Sequence, residues 1–173
     1  MLTFNNLRQD SHRDSLFNEI ETWLLSQGLD IDHKDMERPW GGFFVLADSN
    51  ASLFAKLFFN EMPQHCFGQQ QRLSPKILIV APAARLSWQY HHRRAEFWKL
   101  IAGTASLRRS ATDEEGDTKT LQVGEIVNLA CGERHRLMGG EGWGIVAEIW
   151  QHTIENDPSN EDDIVRVQDD FGR

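Results

Sequence analysis

The chain has 173 residues, enough for one domain with a core of its own. Its formal net charge of −8 makes nucleic acid a poor partner. No apolar run approaches the ~18 residues of a membrane span, and the start, Met-Leu-Thr-Phe-Asn-Asn-Leu-Arg, lacks the cationic-then-apolar order of a signal peptide. Cys66 and Cys131 are too few for a disulfide framework and have no metal-ligand spacing, which suits a reducing cytoplasm.

The first predicted element is a helix over residues 12 to 27. Leu16, Phe17, Ile20, Trp23, Leu24 and Leu25 recur at helical spacing, Ser11 is a candidate cap and Gly28 a fitting stop. It is expected to pack outside a β core or at a subunit contact. Next, Glu37-Arg-Pro-Trp-Gly-Gly reads as a turn with a buried Trp40, leading into a strand from Gly42 to Leu46. Asp48-Ser-Asn50 is expected to cap a short helix over 51–60, with Leu53, Phe54, Leu57 and Phe58 on one side. Residues 61–75 are polar and read as a loop long enough to border a pocket.

From Lys76 onward the pattern is strand after strand. We expect strands near 76–81, 85–91, 96–101, 104–109, 119–122, 125–129, 135–138 and 143–152, with turns at positions such as Gly103 and Gly139-Gly140. Short strands with glycine-bearing turns argue for a mainly β sandwich or barrel. Glu114 and Glu115 fall in a hairpin tip and read as solvated. The tail from Asn160 interleaves Ile164, Val165, Val167 and Phe171 with its charges, so it is expected to lie ordered over the barrel.

Polar chemistry concentrates in Leu86-Ser-Trp-Gln-Tyr-His-His-Arg-Arg-Ala-Glu-Phe-Trp98. On a strand Gln89 and His91 share a face, and a bend over 92–95 would let Glu96 join them. An amide oxygen, an imidazole and a carboxylate make a partial shell for a divalent metal, and His135, from a neighbouring strand, is the candidate fourth ligand. A buried hydrogen-bonded polar cluster is the alternative. His92 should face the other way, as a packing residue or as a support behind the ligands. Trp40 and Trp98 suit core packing or a pocket wall.

The motif pair Gln-x-His-x4-Glu and a distant His resembles that of the cupin superfamily, with Gln in place of the usual first His. More closely, Arg38-Pro-Trp-Gly41, Lys76, Pro82, Leu86 to Trp98, Gly103-Thr-Ala105, His135-Arg-Leu137, Glu161 to Arg166 and Asp169 to Arg173 together resemble the cupin domain of the type II mannose-6-phosphate isomerases. The chain departs from that pattern at Ala83, Arg93, Phe97 and Leu129-Ala130. The resemblance spans about residues 37 to 173. It implies a cupin double-stranded β-helix (a jelly-roll barrel) over 37–173, behind an N-terminal helical extension over 1–36. The nucleotidyltransferase domain that commonly precedes this cupin is not in the chain, so guanylyltransferase activity is not expected.

The resemblance also implies an activity: aldose–ketose isomerisation of a sugar phosphate, foremost mannose 6-phosphate and fructose 6-phosphate, through a cis-enediol. Gln89, His91, Glu96 and His135 would hold the metal, zinc by analogy, with Mn, Fe, Co or Ni able to occupy such a site. Glu148 in Val-Ala-Glu-Ile-Trp150 is the candidate base and Arg166 the candidate enediolate stabiliser. An ion pair of Glu148 with Arg94 or Arg136 is the alternative. Lys76, Arg94, Arg136 and Arg173 are candidates for phosphate or sugar contact. Isomerisation of another sugar, a different cupin enzyme such as a dioxygenase, and a non-catalytic carbohydrate-binding cupin are the competing readings. By fold analogy a homodimer is expected, with the Trp23 helix covering a sheet edge.

Overall fold

The structure is a computed structural model and describes residues 10–62 and 72–172. Cys66, Arg173 and most of the 61–75 loop lie outside the described residues. Helix α1 (Arg13–Ser26) and helix α2 (Ala51–Phe58) precede most of the sheet. The strands are β1 (Ile31–Arg38), β2 (Gly41–Leu46), β3 (Leu73–Val80), β4 (Trp88–Tyr90), β5 (Arg94–Ser110), β6 (Lys119–Thr120), β7 (Ile126–Leu129), β8 (Arg134–His152) and β9 (Val165–Gln168). The first strand was missed because only Ile31 and Met36 in it are apolar, and β1 crosses the boundary expected between 36 and 37. No helix among the described residues is long and apolar enough to cross a membrane.

All strand pairs are antiparallel, and β8 is their hub. Its first part, with His135, lies between β4 and β5, and its second part, Gly144 to Gln151, lies between β3 and β5. Two of the expected turns, at Gly103 and Gly139-Gly140, lie within single bent strands instead. Gly103 pairs with Gly144 while Ala105 pairs with Gly139, so residues 140–143 of β8 bulge outward. Thr104 holds this bulge through bonds to the amide and carbonyl of Gly142. Gly103 is the bend itself: its φ is +78°, and a Cβ there would sit 1.9 Å from the Trp143 carbonyl oxygen. Gly103→Ala is therefore expected to cost about 2–4 kcal/mol. Urea denaturation checks this; a midpoint like that of the parent would contradict it.

The sheet is buried on both faces along Ile77 to Val80 of β3 and Trp143 to Trp150 of β8, and these stretches are correspondingly almost continuously apolar. Ile77, Ile79, Ile145, Ala147 and Ile149 point toward the helices, where they meet Leu16, Phe17, Ile20, Leu24 and Phe54. Leu78, Val80, Trp98, Leu100, Leu137 and Val146 point into the curled interior. So α1 packs on its own sheet, with Phe17 against Phe44 and edge-on to Trp143. Trp23 contacts Phe58.

Local signals were partly redirected. The α1 N-cap is His12 rather than Ser11, with no side-chain cap bond, and Gly28 stops the helix at φ +77°. Asp48–Asn50 forms a 3-10 turn, and the Asn50 carboxamide accepts the Asp30 amide instead of capping α2. Leu57 remains exposed. Ala83, where the resembled family carries Gly, sits at φ +55°, a conformation that costs a non-glycine residue about 1 kcal/mol. Glu115 is not a solvated turn residue: it is half-buried and pairs with both Arg108 and Arg136. The tail is ordered as expected, with β9 pairing along β4.

Candidate functional site

Strand alternation on β5 and β8 sends Glu96, Trp98 and Glu148 into the interior together. The cross-strand register sets Trp98 beside Glu148. His91 follows the end of β4, and the chain turns through His92 and Arg93 before β5 begins, which is the bend that brings Glu96 back beside His91. Asp163 makes this bend. Its carboxylate accepts the amides of His92 (3.1 Å) and Arg93 (2.9 Å) and the hydroxyl of Ser159 (2.7 Å). His92 itself is exposed and rests edge-on against Tyr90, so it is not a packed residue.

His91, Glu96 and His135 form a buried cluster whose ligand atoms lie within 4.8 Å of one another. Each imidazole donates its Nδ1–H to a backbone carbonyl: His91 to Asp163 at 2.8 Å, His135 to Glu133 at 2.9 Å. That assignment leaves both Nε2 atoms facing Glu96, at 3.2 Å from Oε1 for His91 and 3.5 Å from Oε2 for His135. His135 Nε2 is buried without a hydrogen-bond partner. Burial pushes the His135 pKa down to about 4, against the raising effect of Glu96, so its contact with Glu96 is not an ion pair at neutral pH. Two imidazoles, oriented by carbonyls and converging on a carboxylate, fit a divalent cation. Gln89 stands opposite His135 in register and lines the adjoining pocket, where its amide oxygen accepts the Ser87 hydroxyl at 2.6 Å.

Arg94 also reaches this cluster. Its guanidinium donates to Glu96 (2.7 Å), His91 Nε2 (3.1 Å), the Ser159 hydroxyl (2.9 Å) and the Asn160 carbonyl (3.1 Å), and stacks 3.6 Å over Trp150. Burial works against the Glu96 charge, but His91 and Arg94 outweigh it and hold this carboxyl well below the usual range. Arg94 thus positions Glu96 as well as lining the pocket.

Next to the cluster lies a cavity of ≈ 80 Å³, walled by Trp40, Trp98, Gln89, Glu96, Glu148 and Arg166 among others. Both tryptophans serve as wall and core at once. Trp98 Nε1 donates to two carboxylates, Glu96 Oε2 at 3.0 Å and Glu148 Oε1 at 2.9 Å. Glu148 has no ion pair with Arg94 or Arg136. Burial and the Glu96 charge push its pKa up to about 8, against Lys76 and Arg94. A carboxyl in this range can both take up and release a proton near neutral pH.

The remaining candidates separate. Lys76 is buried between the Phe43 and Trp150 rings, with its ammonium on Glu161 at 2.9 Å. Arg166 lies exposed on the pocket wall, opposite Gln89 in register. Arg136 is not brought to the pocket. It points away from His135, and Glu115 and Gln168 hold its guanidinium. The sequence reading missed Asp163, Ser159, Glu161 and Arg38 as parts of the site. Three of them stand in quoted or adjoining motif stretches, Arg38 in Arg-Pro-Trp-Gly and Glu161 and Asp163 in Glu-Asp-Asp-Ile-Val-Arg. Periodicity assigns none of them a face.

Residues 63–169 match the family described as mannose-6-phosphate isomerase C-terminal. The chain belongs to that family. Among its curated relatives, a mannose-1-phosphate guanylyltransferase of Escherichia coli K12 is 30% identical over 141 residues, covering 82% of this chain and 23% of the relative. The xanthan biosynthesis protein XanB of Xanthomonas campestris pv. campestris is 29% identical over 169 residues, covering 94% of this chain and 29% of the relative. The chain therefore spans about a quarter of the length of such relatives. Among solved structures, Bacillus subtilis oxalate decarboxylase superposes with a TM-score of 0.56 at 13% identity, covering 78% of this chain and 30% of that one. Tomato vicilin superposes with a TM-score of 0.52 at 15% identity, covering 80% of this chain and 35% of that one. With the family assignment, these establish the mainly β cupin fold.

Proposed function

We propose that the chain is a metal-dependent aldose–ketose isomerase acting on a sugar phosphate, with mannose 6-phosphate and fructose 6-phosphate as the leading pair. The observation that carries this reading is Glu148: a buried carboxyl with a raised pKa, in a pocket wall shared with Glu96 of the His/Glu cluster. Family membership supports the sugar-phosphate class.

In this reading Glu148 takes the proton from one of the C1/C2 carbons and returns it to the other, while the hydroxyl proton passes between O1 and O2 of the enediol. The Trp98 indole N–H holds its Oε1 in place, which leaves Oε2 for the substrate. When bound at His91, Glu96 and His135, with Gln89 as the candidate fourth ligand, a divalent cation supplies Lewis-acid stabilisation of the enediolate and offsets the Glu96 charge that raises the Glu148 pKa. Zinc suits two imidazoles and a carboxylate. Trp40, Trp98 and Trp150 exclude water from the reacting end. A homodimer belongs to the same reading. Since α1 spends its apolar face on its own sheet, β1, which is one end of the described strand order, is a candidate contact surface.

The purified chain is expected to contain about one equivalent of zinc or another divalent metal and to interconvert mannose 6-phosphate and fructose 6-phosphate. Chelation should stop turnover and metal should restore it. Metal without turnover on any sugar phosphate would leave a carbohydrate-binding cupin. No metal uptake by folded protein offered Zn, Mn, Co and Fe would defeat the mechanism. One observation favours an absence of metal: the Arg94 guanidinium already supplies a cation to Glu96 and His91.

A further inference from the structure

The isomerase reading places the reacting end of a sugar phosphate beside Glu148 and leaves its anionic end unassigned. We propose that Arg38 and Arg166 seat the phosphate at the rim of the pocket, and that Glu161 is a built-in competitor for that seat. This rests on the sugar-phosphate reading of the same pocket.

The first argument is electrostatic. Glu96 and Glu148 are buried in the pocket wall, so a phosphate pushed inward would meet two carboxyl groups. The cations lining the pocket are Arg38, Arg94 and Arg166. Arg94 is buried and committed to Glu96, His91, Ser159 and Asn160. Arg38 is half-buried and Arg166 exposed, so positive charge lies where the pocket meets water. A ligand with one neutral and one anionic end is thereby oriented with its anion outward. The second argument is size. A cavity of ≈ 80 Å³ is far below the ~300 Å³ at the low end for ligand sites, so part of a sugar phosphate must stay at the mouth.

The third argument is how firmly Arg38 is held. The Arg13 guanidinium of α1 donates through one nitrogen to the carbonyls of Met36 (2.8 Å), Arg38 (3.1 Å) and Gly41 (3.0 Å). The Trp40 carbonyl accepts the Ala81 amide at 2.9 Å. Gly41 has φ +136°, and a Cβ there would lie 1.9 Å from the Ile79 carbonyl oxygen. So the Arg-Pro-Trp-Gly turn is locked on both sides and presents Arg38 from a rigid base. The Arg38 side chain pairs with Asp35 at 2.8 Å, a partly exposed contact that is cheap to rearrange. Arg166 is fixed by the pairing of β9 with β4.

Glu161 lines the same pocket, and its carboxylate sits on Lys76. Burial works against its charge, but Lys76, Arg94 and Arg38 hold its carboxyl below the ordinary range, which places it in the field of the proposed seat. A dianionic phosphate arriving at Arg38 and Arg166 repels this carboxylate. Ligand binding therefore works against Glu161, and the side chain weakens the hold on a dianion while leaving a neutral sugar untouched.

Calorimetric titration of the full chain separates this from the isomerase reading. The probes are mannose 6-phosphate, mannose and inorganic phosphate; the variants are Arg38→Gln, Arg38→Lys, Arg166→Gln and Glu161→Gln, each with its melting temperature checked. Arg38→Gln and Arg166→Gln are expected to weaken mannose 6-phosphate and inorganic phosphate roughly 10- to 100-fold each, with mannose unaffected. Arg38→Lys should lose less, and Glu161→Gln should bind phosphate more tightly. Weakened binding in the arginine variants, without turnover in the parent, would support the seat and sink the isomerase reading. Equal mannose 6-phosphate affinity in the parent and both glutamine variants would overturn the seat and leave the isomerase reading standing. Parallel losses for mannose and mannose 6-phosphate, or a parent that binds neither phosphate probe, would also overturn it.

Discussion

Replacing Glu148 by glutamine is expected to lower isomerase turnover by about 10²- to 10⁴-fold while the protein stays folded and keeps its metal. Gln preserves the shape and still accepts the Trp98 N–H, so only the proton-carrying capacity is lost. The same substitution carries a pH signature that needs no substrate. In the metal-free protein the Glu148 pKa is raised from 4.5 to about 8. The folded state therefore keeps a proton that the unfolded chain releases, and stability falls as pH rises from about 4.5 to about 8. The full loss is on the order of a few kcal/mol. Glu148→Gln removes that penalty, so its melting temperature should gain on that of the parent across this window and then run parallel. Parallel curves from pH 5 to 8 would show that Glu148 is not a raised, buried acid, and unchanged turnover would remove it from the mechanism.

Glu96→Ala is expected to be the most damaging single change to stability, costing about 3–5 kcal/mol in denaturant unfolding and abolishing metal binding. The cost comes from what it leaves behind: a buried Arg94 without its carboxylate and two imidazoles converging on nothing. The double substitution Arg94→Met with Glu96→Leu should recover most of the stability and none of the metal, because it removes the stranded charge together with its partner. Since the folded-state pKa of Glu96 is depressed, its contribution exists above the unfolded value of 4.5 and fades as pH falls through the folded one. The gap between parent and Glu96→Ala should therefore narrow in acid. A double variant as unstable as Glu96→Ala, or a Glu96→Ala protein that still takes up metal, would disprove this account of the cluster.

The two effects share one residue. Trp98 touches both Glu96 and Glu148, so the candidate ligand carboxylate and the candidate base are held to a common donor. Strand geometry explains why. Glu96 and Trp98 are two apart on β5 and share a face, and Glu148 is the cross-strand partner of Trp98 on β8.

The sequence by itself determined the elements whose signal is local. The apolar spacing from Leu16 to Leu24 dictates α1, and the interleaving of charged and apolar residues in the tail predicts an ordered segment, which tertiary pairing turns into β9. The clustering of Gln89, His91 and Glu96 points to one site because two short strands and a bend are enough to bring them together. Tertiary structure decided what depends on partners distant in sequence. Gly103 and Gly139 signal turns locally, yet pairing of β5 with β8 along their length turns both into bends within continuous strands. Arg136 and Arg166 are alike in sequence context, and only packing distinguishes them: Glu115 and Gln168 capture the first, and the pocket wall presents the second. Glu148 is an acid on an apolar strand in the sequence. Its raised pKa arises only when folding buries it and brings Glu96 close, because desolvation and Coulomb repulsion are properties of surroundings that a sequence does not contain.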